Sequence, residues 1–153
     1  MKAVSLGVPR LANNSAYFAT EALFGAFIIQ CPTYFLASAY SKANLPVWKM
    51  RFNGGSALHG AVSEYQLGYG GVKNATLAND VIFKYLLSFM TDTDPNKLYP
   101  GALPAWPQYG RGRAGVVPKN AIFDVYDDHI VAVTDPIASE KCDVFAENAR
   151  IIS

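Results

Sequence analysis

A chain of 153 residues with 51% hydrophobic side chains has the size and apolar mass of one domain with a real core. Only 16% of its residues are charged and the formal net charge is +1, which excludes the electrostatic footprint of a nucleic-acid or membrane-surface binder. The longest apolar stretch, Ala22 to Ile29, contains Gly25 and falls short of the ~20 residues a membrane span needs, so no integral membrane segment is expected.

Residues Ser15 to Ile29 are rich in Ala, Phe and Leu and predict a mostly buried helix that ends before Pro32. Thr33 to Tyr40 predicts a second short helix, closed by the polar Ser41-Lys42-Ala43-Asn44. Pro46 to Phe52 is the clearest strand, with Trp48, Met50 and Phe52 on one face and Lys49 and Arg51 on the other. Asn53-Gly54-Gly55-Ser56 breaks that pattern as a loop and leads to His59-Gly60. From Leu77 to Met90 the residues Val81, Ile82, Tyr85, Leu86 and Phe89 recur at helical spacing. Asp92-Thr93-Asp94-Pro95-Asn96 ends this helix, and prolines and glycines keep the chain in a long loop to about Lys119. Ile122 to Tyr126 and Ile130 to Thr134 form a hairpin around Asp127-Asp128-His129. Asp135-Pro136 then opens a last helix, Asp135 as N-cap, with Ile137, Cys142, Phe145 and Ala146 on its buried side. The class is α/β. Three strands make a thin sheet for this much apolar helix, and Trp48 to Phe52 wants neighbours the sequence does not contain.

His59 stands on a glycine-flanked loop after a strand, a setting that suits a general base, although a histidine capping a turn has the same local sequence. Ser56, three residues earlier, invites a Ser/His pair, but no Gly-x-Ser-x-Gly elbow exists in the chain and Ser56 reads as a loop residue. Asp92 to Asn96 imitates half a calcium loop and fails at Lys97 and Leu103, where glycine and glutamate are required. Asp127-Asp128-His129 reads as an exposed hairpin turn and not as a metal site; neither a metal nor a cofactor is expected. Gly110-Arg111-Gly112-Arg113 and Gly68-Tyr69-Gly70-Gly71 lack the surroundings of a nucleic-acid patch and of a phosphate loop. Cys31 and Cys142 form no Cys-x-x-Cys pair, and the residues alone favour two buried free thiols over a disulfide across about 100 residues. Asn13-Asn14-Ser15 and Asn74-Ala75-Thr76 are N-glycosylation sequons, a pointer to an extracellular compartment.

Several segments resemble, in order, the C-terminal part of the type-B carboxylesterase and lipase family, which includes the cholinesterases. Ile29-Gln30-Cys31-Pro32 with Leu36-Ala37 resembles its Phe-x-Cys-Pro region, and Val47 to Phe52 its aromatic strand. Leu58-His59-Gly60-Ala61 resembles its catalytic-histidine loop. Phe89 with Asp94-Pro95-Asn96, then Trp106-Pro107-x-Tyr109, resembles its Asp-Pro-Asn and Trp-Pro-x-Tyr run, and Lys141 to Phe145 its terminal Cys-x-x-Trp region. The resemblance covers about Phe18 to Phe145. It implies the C-terminal part of an α/β-hydrolase fold over residues 1–153, with few strands, a terminal hairpin and helices packed on the sheet, incomplete as a domain. It also implies a Cys31–Cys142 disulfide, secretion on a signal peptide upstream of this chain, and His59 as the triad base acting on a small-molecule or lipid ester. The family's nucleophilic serine, oxyanion glycines and triad acid have no counterpart here, so no turnover is expected of this chain alone. Thr93 replaces the glycine that usually precedes Asp-Pro-Asn, and Glu64 is the nearest counterpart of an acidic residue common soon after the histidine. The alternatives are a non-catalytic cholinesterase-like binding or adhesion module, and an unrelated small α/β protein that binds through its aromatic residues.

Overall fold

A computed structural model describes residues 15–55, 60–63, 77–101, 104–112, 120–137 and 139–148. The first helix, α1 (Ser15–Gly25), passes through a π-helical turn (Ala26–Gln30) into α2 (Cys31–Lys42) without leaving the right-handed helical region. The expected break before Pro32 is therefore absent. Pro32 lacks an N–H, and in a regular α-helix its ring would strike the carbonyl four residues back. The wider turn just before it, in which Cys31 N–H donates to Ala26 O five residues back, lets the helix continue.

This continuity makes Ala22–Lys42 long and apolar enough, by length and composition, to cross a membrane, where sequence patterning alone shows a shorter apolar stretch. The packing argues against a span. Cys31, near its middle, is disulfide-bonded to Cys142 of the last helix, α4 (Ser139–Asn148), whose sequence includes Glu140, Lys141, Asp143 and Glu147. At the bilayer centre each Asp or Lys costs roughly 2.5 to 3.5 kcal/mol. Ala37 of the same helix is buried against the sheet.

The sheet has the order β1-β2-β3, with β1 (Met50–Phe52) parallel to β2 (Ala121–Val125) and β2 antiparallel to β3 (Ile130–Thr134). All five residues of β2 are buried because both sheet faces are covered. On one face, Val81, Ile82 and Tyr85 of α3 (Leu77–Asp92) pack with Phe123 and Val125, joined by Met50, Phe52 and Trp106. On the other, Ala37 of α2 packs with Tyr109 and Ile122. The fold is mixed α/β with a small mixed sheet. β1 has its neighbour in β2, supplied by residues some 70 positions later. It is also shorter than its alternation suggests: Val47 O accepts Tyr109 N–H at 2.9 Å, so the lead-in from Pro46 is extended but tied to a loop.

Two details of the last segment correct the sequence expectation. The last helix begins at Ser139, so Asp135 does not cap it; its Oδ1 accepts Ile137 N–H at 3.1 Å in a local turn. Ala146 is exposed, which leaves Cys142 as the fully buried residue of that helix among those described.

Candidate active-site scaffold

His59 and Ser56 lie outside the described residues, as do the sequon residues Asn13 and Asn74. What the structure gives is the frame around the His59 loop. Residue Asn53 continues the ladder after β1, its N–H donating to Val125 O at 2.7 Å. Gly54 is buried so tightly that a Cβ there would come 2.8 Å from Asp127 Oδ1 and 2.9 Å from Phe52 Cζ. Gly55 turns the chain at φ +57°, and its N–H donates to the Asp127 carboxylate, 2.8 Å from Oδ1 and 3.0 Å from Oδ2. On the far side Gly60 turns again at φ +85°.

The segments singled out by sequence form one bonded scaffold around β1. Asn96 grips the Trp106 backbone in both directions, Oδ1 accepting its N–H at 2.6 Å and Nδ2 donating to its carbonyl at 3.1 Å. Trp106 Nε1 donates to Lys49 O at 3.2 Å, which carries that grip to the residue before β1. Asp94 Oδ1 accepts Asn96 N–H at 2.9 Å, as a turn residue does. Buried Ser88 donates to Asp94 O at 2.7 Å and accepts Leu98 N–H at 2.9 Å, fixing this turn to α3. Tyr109 closes the far end, its hydroxyl donating to Asp135 Oδ2 at 3.0 Å. Burial, aided by the Asp135 carboxylate, raises the Tyr109 phenol well above the ordinary range.

On the same sheet face Arg51 holds buried Asp124 with both ends of its fork, Nε to Oδ1 at 2.7 Å and Nη2 to Oδ2. This contact raises the guanidinium pKa further. Neither this pair nor the Lys49–Asp135 pair is announced by local sequence, because the strand register that aligns Arg51 with Asp124 is not visible there.

An apolar groove of about 350 Å³ opens beside the lead-in to β1, lined among others by Leu36, Tyr40, Trp48, Phe89 and Trp106. Trp48 meets Phe89 edge-on, with centroids 5.9 Å apart. The groove lies beside the residues that lead into β1. Among the described residues no group of three or more His, Cys, Asp or Glu could hold a metal. His129 is an exposed turn residue, stacked on Tyr126 at 4.5 Å with Nδ1 2.6 Å from Asp128 Oδ1; that contact lowers the Asp128 pKa.

Compared with models of known protein families the chain matches none, and no curated protein matches it.

Proposed function

We propose that this chain is the C-terminal part of a secreted carboxylic ester hydrolase of the type-B carboxylesterase and lipase class, supplying the triad base His59. The observation that carries the reading is the bonded scaffold around β1. The Asp-Pro-Asn and Trp-Pro-x-Tyr residues meet at Lys49 and Val47, immediately before the strand whose end feeds the His59 loop. Residues picked out by the resemblance thus brace one strand, the one that precedes His59 in the sequence. The Cys31–Cys142 disulfide agrees with the same resemblance and with an oxidising compartment.

In the complete enzyme a serine outside this chain attacks the ester carbonyl while His59 Nε2 accepts its proton. His59 then returns the proton to the leaving alcohol, with a carboxylate orienting the ring. Backbone N–H donors outside this chain stabilise the tetrahedral oxyanion. The α/β-hydrolase fold is part of this proposal.

The test is p-nitrophenyl butyrate hydrolysis by this chain alone and by the polypeptide that includes its upstream coding sequence. The chain alone is expected to be inactive, and the longer polypeptide to lose at least ~10³-fold in kcat on His59→Ala. Full activity of that variant would defeat the reading. Activity of the short chain, lost on His59→Ala, would mean that the nucleophile lies within it.

The aromatic groove favours a second reading, a cholinesterase-like module that binds without catalysis. An upstream Gly-x-Ser-x-Gly left intact supports the enzyme; a degraded one supports the binding module.

A further inference from the structure

We infer that Asn53-Gly54, at the end of β1, is a site of spontaneous deamidation that the closed fold holds in check and local opening releases. Neither the reaction nor its restraint depends on the ester-hydrolase reading. An asparagine followed by glycine is the pair most open to this chemistry, because glycine has no side chain to obstruct attack by its own nitrogen. Gly54 N attacks Asn53 Cγ and a C–N bond forms. The side-chain nitrogen leaves as ammonia, taking the proton that Gly54 N gives up. Water then opens the five-membered imide at either carbonyl, leaving aspartate or isoaspartate at position 53. Water is the sole co-reactant.

Packing demands the glycine. A Cβ at position 54 would come 2.8 Å from Asp127 Oδ1 and 2.9 Å from Phe52 Cζ, so the fold itself places a labile pair at this point. The same packing opposes the reaction. The ring closes only when the Asn53 backbone turns until Gly54 N faces Cγ, and that turn would carry Gly54 out of its buried fit. Both flanks resist it: Asn53 N–H donates to Val125 O at 2.7 Å, and Gly55 N–H to the Asp127 carboxylate at 2.8 and 3.0 Å. The Asn53 amide pulls the other way. Its Nδ2 is buried with no acceptor among the described residues, and an unpaired buried donor favours any opening that lets water reach it. Conversion is then one-way. A carboxylate in place of the buried amide, or the extra main-chain atom of isoaspartate, cannot restore this fit.

The experiment incubates the full 153-residue chain at neutral pH, once folded and once reduced and unfolded in urea. Mass spectrometry follows the amide-to-acid change in the tryptic peptide 52–73, where Asn53 is the sole asparagine. The folded chain should react at least about tenfold more slowly than the unfolded one, because openings of paired strand ends are minor states. Asp127→Ala, which frees Gly55 N–H, should speed the folded chain about three- to tenfold. Asp127→Asn, whose amide oxygen still accepts, should speed it less. Asp127 is exposed, and circular dichroism checks that both variants stay folded. Equal rates in the folded and unfolded wild-type chain would overturn the proposal, and so would an unfolded chain whose Asn53 stays intact. An unchanged rate in folded Asp127→Ala would overturn the restraint assigned to Asp127.

Discussion

Lys49 Nζ lies 2.6 Å from Asp135 Oδ2, and the two side chains are only 12% and 2% exposed. The pair ties the residue before β1 to the residue after β3 across the buried strand between them. Its remaining needs are met: Tyr109 donates to the same carboxylate oxygen, Ile137 N–H to the other, and the Lys49 ammonium lies 5.9 and 5.8 Å from the Tyr34 and Tyr109 rings. Removing one partner leaves the other charge buried alone, so Asp135→Ala should cost about 3 to 5 kcal/mol. The double variant Lys49→Met with Asp135→Leu should recover most of that loss, since a packed apolar pair often matches a buried ion pair. Urea unfolding below the concentration of self-association measures both. A loss under about 1 kcal/mol for Asp135→Ala would show that water still reaches the pair.

Alkaline pH should weaken this protein through two phenols. Burial pushes Tyr85 up to about 12, and burial together with Asp135 raises Tyr109 further. A raised phenol pKa means the folded state holds its proton where the unfolded state, near pH 10, releases it. Stability from these groups is therefore whole below about pH 10 and falls as pH rises through the folded values. Unfolding measured as a function of pH should show a steep alkaline limb that Tyr109→Phe and Tyr85→Phe each flatten. A limb unchanged in both variants would assign it to other groups.

Thr93 occupies the left-handed region at φ +58°, where α3 ends and its N–H donates to Phe89 O at 2.8 Å. The equivalent residue after α2, Asn44 at φ +60°, is of a type that tolerates this conformation; a β-branched threonine is not. Thr93→Gly should stabilise the chain by about 1 kcal/mol, the left-handed penalty relieved less the entropy glycine adds to the unfolded state. Thermal unfolding decides this. A destabilised variant would mean that the Thr93 hydroxyl, 2.6 Å from Asp92 O, outweighs the strain.

Periodicity made much of this fold legible. The apolar face of α3, the β2–β3 hairpin and the alternation of Met50 against Arg51 follow from spacing alone, and each packs accordingly. Spacing could not show that the helix survives Pro32, because the relief comes from a π turn with no composition of its own. Nor could it pair β1 with β2, whose parallel register joins distant segments and carries no turn signal. Asp135 and Asp127 illustrate the same limit. Both look like local cap and turn residues, and both owe their main partners, Lys49 and Gly55, to that long-range pairing. The cysteines alone favour two buried free thiols; the resemblance reversed that expectation, and the fold contains the bond.

That disulfide spans 111 residues and connects α2 to the last helix. On the chain-entropy model, closing a loop of this length is worth about 4 to 5 kcal/mol. Reduction, or Cys31→Ala with Cys142→Ala, should lower unfolding stability by that order and loosen α1–α2 before the sheet. Hydrogen exchange resolved by segment should show amides in 31–42 losing protection ahead of 121–125. Simultaneous loss in both would mean that sheet and helices unfold as one unit.

The apolar surface of α1 and the π turn points to a body that covers it. Leu23, Phe24, Ile28 and Ile29 are 60, 65, 49 and 52% exposed, large apolar side chains close together on one helical segment. Soluble monomers seldom leave such a patch open, and the disulfide to charged α4 argues against a bilayer as the cover. The isolated chain should therefore self-associate. Leu23→Ser with Phe24→Ser and Ile28→Ser should weaken that association about tenfold or more. The same changes should leave the unfolding midpoint of the chain nearly unmoved, since exposed positions shift stability by only ~0.5 kcal/mol each. If the chain is part of a longer enzyme, as proposed, the same changes should destabilise that polypeptide. Sedimentation velocity reads the first effect and thermal unfolding the second. A wild-type chain that stays monomeric at high concentration would favour an independent small α/β protein.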